Sequence, residues 1–224
     1  MKSPRINREL EEFYRRVAVE FFRDSTVPAG LVGPFLISCP DGYSRLKIPW
    51  ILVGQETCGW VRIESPAEVS SLMSTHAGFC RNNPWAGTPF WSFGYTLDRK
   101  LNPDGPSRNF VWSNISRIGF AGRAGRVPNP ALDFWSEKRL LASEAKLLSP
   151  KLVLFVTGRR YDDLLGREFP GIKLPALSLD RPIARVSHPG LPDLTFKSYH
   201  PAYLRRKRRE RDVLDFVVRR VQNY

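Results

Sequence analysis

Three apolar runs in this chain stop at residues for which a strand has no structural use. WILVG at 50–54 runs into Gln55 and Glu56, FVWS at 110–113 into Asn114, and FKSY at 196–199 into His200. A carboxylate, a carboxamide and an imidazole gathered at one rim could activate water, read the edge of a planar heterocycle and stabilise an anion. Ligands of open α/β sheets bind at the carboxyl ends of the strands, where loops converge, so strand ends are where such chemistry belongs.

The elements that must carry these residues are legible in outline. Leu10, Phe13, Tyr14, Val17 and Phe21 recur at spacings of three and four, which predicts an amphipathic helix over 6–23, broken by Pro28, Gly30, Gly33 and Pro34. Residues 50–54 predict a buried strand closed by glycine, 109–115 a second, and KLVLFVTG at 151–158 the strongest. Extended stretches are expected near 174–179 and 194–199. The segment 76–109, rich in Gly, Pro and Asn, carries five aromatics between Phe79 and Phe93 and reads as a long functional loop with some helix. A Gly/Arg/Pro loop is expected at 119–130. Helix is predicted over 131–148, with Leu141, Ala145 and Leu148 on one face and a stop at Ser149-Pro150, and over 203–222, with Val213, Phe216, Val217 and Val221 as its apolar face. Strands interleaved with helices imply an α/β chain: a three-layer α/β/α sandwich around a central, mainly parallel four-stranded sheet. One domain over 1–224 is expected, with an N-terminal helix in 1–24 and a basic C-terminal helix in 203–224.

Lys and Arg number 35 against 22 Asp and Glu, a net charge of +13 over 224 residues. A polyanion is the expected partner, with nucleic acid ahead of membrane. No apolar stretch of about 18 residues and no signal-like start is present, so a cytoplasmic monomer without a membrane span is expected. Cys39, Cys58 and Cys80 are odd in number and lack C-x-x-C spacing, which predicts reduced thiols. His76 and Cys80 stand at helical spacing but have no matching pair, so neither a metal nor another cofactor is expected.

The ordered set of motifs resembles the uracil-DNA glycosylase superfamily. Its carriers are the glycine-led polar pair after WILVG, the Asn ending a second strand, the unit SEAKLLSPKLVLFVTG at 143–158 and SYHPAYLRR at 198–206, the last similar to the superfamily's His-Pro-Ser/Ala-x-Leu segment. The likeness spans roughly residues 50–206. It implies that Glu56 orients or deprotonates the attacking water beside an oxocarbenium-like sugar. It implies that Asn114, with Gln55, reads the edge of a flipped pyrimidine, and that His200 donates to the pyrimidine O2 as negative charge develops there. TPFWSF at 88–93 resembles the family's Pro-Phe motif, so Phe90, with Trp91 as alternate, would stack on the base. Leu204 would be the wedge that enters the base stack, and Arg205, Arg206, Lys207 and Arg208 would grip phosphates. The second His-Pro pair, His188-Pro189, is expected to lie in a loop without a catalytic role.

The pattern also departs from the family. Thr57-Cys58-Gly59 stands where the uracil enzymes commonly place Pro-Tyr, whose ring bars 5-substituted pyrimidines, and Glu56 stands where they have Asp. The four cysteines of the iron–sulfur branch are missing, so no cluster is expected. The implied activity is a monofunctional glycosylase acting on uracil or a modified pyrimidine in DNA, with a host-defence enzyme removing a bulky modified cytosine as a variant. A catalytically silent nucleic-acid-binding module and a metal-dependent nuclease are the competing classes.

Overall fold

The computed structural model describes residues 3–57, 59–127 and 130–224; Cys58 and two residues of the predicted 119–130 loop lie outside them. The chain runs α1 (Ser3–Asp24), β1 (Leu31–Val32), β2 (Trp50–Gly54), α2 (Val69–Arg81), α3 (Pro89–Leu101), β3 (Val111–Asn114), β4 (Gly119–Phe120), α4 (Pro130–Glu137), α5 (Leu140–Leu148), β5 (Leu152–Phe155), α6 (Asp162–Glu168), β6 (Ile183–Arg185), β7 (Leu194–Ser198), α7 (Pro201–Arg206) and α8 (Glu210–Gln222).

The main sheet has the order β3-β2-β5-β7-β6, with β3, β2, β5 and β7 parallel and β6 antiparallel at one edge. The four apolar runs read from the sequence are therefore the parallel strands. The fifth strand was missed because Ile183–Arg185 is three residues long and carries a charge; the extended stretch expected at 174–179 forms no strand, and only Lys173 beside it bridges to Ser187.

Pleating puts successive side chains on opposite faces, and each face has its own helices. Leu52 and Trp112 face α3, whose Gly94 comes so close that an added Cβ would lie 3.0 Å from Leu52 Cδ2; Trp50 Nε1 donates to Asp98 of the same helix at 2.9 Å. One residue after Trp112, Ser113 points the other way and donates to Glu144 of α5 at 2.9 Å. Glu144 also takes a hydrogen bond from Tyr14 of α1 at 2.6 Å and pairs with Arg117 at 2.9 Å, every one of these groups buried. The larger helix contacts join α1 to α2 and α5, α6 to α4 and α5, and α3 to α7 and α8, while Phe79 of α2 meets Trp91 of α3 with ring centres 5.6 Å apart. Helices thus flank the sheet in the expected layered α/β arrangement. Among the described residues, no helix is long and apolar enough to cross a membrane.

Three predicted segments differ. The 76–109 stretch is mostly helix, because Pro89 sits in the first turn after Thr88, where its missing N–H costs nothing. The helix expected over 131–148 breaks at Arg139, which is left-handed (φ 51°), and restarts where the N–H groups of Leu141 and Ala142 donate to Glu168. The helix expected over 203–222 breaks at Arg208 (φ 56°); the turn relieves a run of like charges and lets Glu210 fold back onto Arg205 at 2.7 Å.

Candidate active site

The order of the sheet makes a switch point between β2 and β5, since the chain leaves β2 toward β3 on one side and returns to β5 on the other. At the carboxyl ends of these strands lies a cavity of about 560 Å³. Gln55, Glu56, Phe90, Trp91, Asn114 and His200, scattered through the sequence, all line it. A larger hollow of about 1410 Å³ opens at the opposite ends of the strands, beside Lys47, Lys151 and Leu194, and contains none of these six.

Gly54 is what lets the walls close. A Cβ there would lie 2.5 Å from Asn114 Oδ1 and 3.1 Å from the Phe90 ring, so no other residue fits between β2, β3 and α3 without moving them. Gly119 allows a similar close approach on β4, where a Cβ would lie 2.2 Å from the Thr57 carbonyl oxygen.

Glu56, half-buried, has both carboxylate oxygens engaged. The Gly125 N–H donates to Oε1 at 2.8 Å, and the Tyr161 hydroxyl donates to Oε2. Burial, with the neighbouring Glu56 charge as a second cause, pushes the Tyr161 phenol well above its ordinary range, so it stays a donor. Gln55 commits its amide N–H to the Thr157 carbonyl at 3.0 Å, and its backbone oxygen accepts from Ser116.

Asn114 is buried at the end of β3 in register with Gly54. Its Oδ1 accepts from Trp112 Nε1 at 3.1 Å, and its Nδ2 has no protein partner. His200 caps α7 through Nδ1, which accepts from the Ala202 N–H at 3.2 Å, so the neutral ring carries its proton on Nε2. Burial holds its pKa below the ordinary value, against a smaller upward pull from Glu56. Phe90 lies nearly parallel to the imidazole with ring centres 5.8 Å apart. Trp91 is buried edge-on against Trp112 at 4.9 Å and serves as wall more than platform.

The basic helix departs from expectation. Leu204 is 1% exposed and packs in the core, so it is not a protruding wedge: four residues after His200 the helix has turned its side chain inward. Arg205 is held by Glu210 and by Ser92 Oγ at 2.6 Å. Arg206, Lys207 and Arg208 are exposed, the first two over the Tyr203 ring at 5.4 and 6.0 Å. His76 is a buried core residue: Nδ1 accepts from Ser38 N–H, Nε2 donates to the Trp112 carbonyl, and burial lowers its pKa to about 4. Among the described residues, no group of three or more His, Cys, Asp or Glu could hold a metal ion. The buried carboxylate of Glu144 is committed to Arg117.

Sequence reasoning missed Tyr161, Gly125 and the aromatic side of the cavity formed by Trp60, Phe79 and Trp85. The signal for Tyr161 was present: KLVLFVTG is a fourth apolar run closed by glycine, and the residues after it also reach the rim. Compared with known proteins, the chain matches no family model and no curated protein.

Proposed function

We propose that this chain is a cytoplasmic DNA glycosylase that flips a uracil or modified pyrimidine out of DNA and hydrolyses its N-glycosidic bond. The observation that carries this reading is the meeting of Glu56, Asn114, His200 and Phe90 around one cavity at the switch point of the sheet. Glu56 holds the attacking water and balances the positive charge on the sugar. Asn114 offers an uncommitted N–H₂ to an acceptor on the base edge. The Nε2–H of a neutral His200 donates to the pyrimidine O2 as the base leaves with negative charge, and Phe90 stacks on the ring. The exposed Arg206, Lys207 and Arg208 supply sequence-independent phosphate contacts.

A second reading, removal of a bulky modified cytosine from foreign DNA, is favoured by the size of the cavity. Its roughly 560 Å³ lies within the range of about 300–1,000 Å³ that takes whole drug-sized ligands, far more than one pyrimidine ring fills. Trp60, Phe79 and Trp85 are among the residues that line it.

The test is a panel of duplex and single-stranded oligonucleotides carrying uracil, hypoxanthine, 5-substituted cytosine or glucosylated cytosine, assayed for alkali-labile abasic sites with EDTA present. Release of a base by the wild type, lost in Glu56→Gln and His200→Ala while DNA affinity persists, supports the glycosylase. DNA binding without release of any base supports a silent binding module, and EDTA-sensitive strand cutting supports a nuclease; either overturns it.

A further inference from the structure

We propose that Tyr161 is a positioning residue for Glu56, a role that rests on the glycosylase reading of the cavity. A carboxylate has about four lone-pair sites. The Tyr161 hydroxyl occupies one on Oε2 and the Gly125 N–H one on Oε1, leaving a site on each oxygen for a water. Held at both ends, the carboxylate cannot rotate about its terminal bond, and the direction in which it presents a water is fixed before DNA arrives.

Both holders are themselves anchored to one place. Tyr161 is 1% exposed and directly precedes α6, which follows β5, the strand beside β2. Gly125 is drawn to the same spot by its neighbour Arg126, whose guanidinium pairs with Asp163 in the first turn of α6 and donates to the Arg160 carbonyl at 2.9 Å. A buried tyrosine hydroxyl needs a partner, and a backbone carbonyl would serve for packing alone. Here the partner is a carboxylate on the cavity wall, which makes the bond charge-assisted and directional. The charged and titratable groups around this pair are His200, Arg126, Arg160 and Asp163.

Tyr161→Phe removes one oxygen and keeps the ring. On the base that the panel shows to be released, kcat should fall about 10–100-fold while KM, DNA affinity and the melting temperature stay near wild type. An unchanged kcat overturns the proposal, as does a loss explained wholly by unfolding. A second measurement does not depend on activity: the wild type should show a downfield hydroxyl proton in its NMR spectrum that disappears in both Tyr161→Phe and Glu56→Ala. If the panel yields no released base yet this proton behaves as described, the hold on Glu56 stands and the glycosylase reading is what fails. If the proton is missing, or survives either substitution, the hold itself is refuted.

Discussion

The indole N–H of Trp112 donates to the carboxamide oxygen of Asn114, two residues farther along β3, at 3.1 Å. Because an indole can only donate, this contact settles which way the amide faces: oxygen toward Trp112, N–H₂ without a protein partner. On the glycosylase reading proposed above, the Asn114 amide would favour an acceptor, such as the O4 of uracil, over a donor, such as the N4 amino group of cytosine.

Replacing Trp112 by Phe keeps a ring and releases the amide to turn over. The ratio of kcat/KM for uracil over cytosine should then narrow, by about tenfold if the pinned hydrogen bond accounts for about 1.4 kcal/mol of the preference. Asn114→Asp, which replaces the donor with an acceptor, should lower kcat/KM for uracil at least 100-fold. A Trp112→Phe enzyme with the wild-type ratio would show that the orientation is set by something else.

His200 does two things at once, capping α7 through Nδ1 and presenting Nε2–H to the cavity. His200→Ala should lose both, costing about 1 kcal/mol of stability and about 100–1,000-fold in kcat. Asn is itself a good cap, so His200→Asn should melt near wild type while remaining slow. Equal melting temperatures for the Ala and Asn variants would remove the capping role.

Leu204 tests the correction to the wedge. As a core side chain it should cost about 2–5 kcal/mol in urea denaturation when cut to Ala, because a cavity is left behind. A true wedge would leave stability alone and lower the rate on duplex more than on single-stranded substrate.

His76 gives a pH signature of stability. Burial lowers its pKa from 6.5 to about 4, so the unfolded chain takes up a proton that the fold refuses. Stability is whole above pH 6.5 and is lost as the pH falls to 4, by about 3 kcal/mol at about 1.4 kcal/mol per unit. Glu168 runs the other way: burial pushes it up to about 8, so its contribution is whole below pH 4.5 and lost as the pH rises through 8. The His76 effect is therefore read as the difference between wild type and His76→Gln over pH 4–7. Parallel curves would contradict it.

Strands β2 and β5 were legible because a strand buried on both faces is a short unbroken apolar run, and Glu56 stands out against the first of them. β3 and β7 mix Ser, Thr or Lys into their apolar residues, so Asn114 and His200 were visible as polar ends of shorter extended stretches. Tyr161 follows another glycine-closed run and so had a local signal, but its pairing with Glu56, like that of Gly125, depends on β5 lying next to β2, and sheet order leaves no local mark on the sequence. Arg139 and Arg208 take left-handed turns without glycine, so the breaks they make in two predicted helices carried no residue signal. Leu204 was misread because a motif gives spacing from His200 and says nothing of which side of the short helix meets the core.

The switch-point geometry bears on how the protein matures. Glu56 follows the first strand of the main sheet to be synthesised, its hydroxyl partner follows β5, and His200 follows β7, the last. Such distant segments meet only after long loops have closed, which is slow. A chain still emerging from the ribosome, or one truncated before His200, has the carboxylate but not this imidazole. On the glycosylase reading proposed above, the capacity to release a base is thereby withheld until the whole sheet is in place.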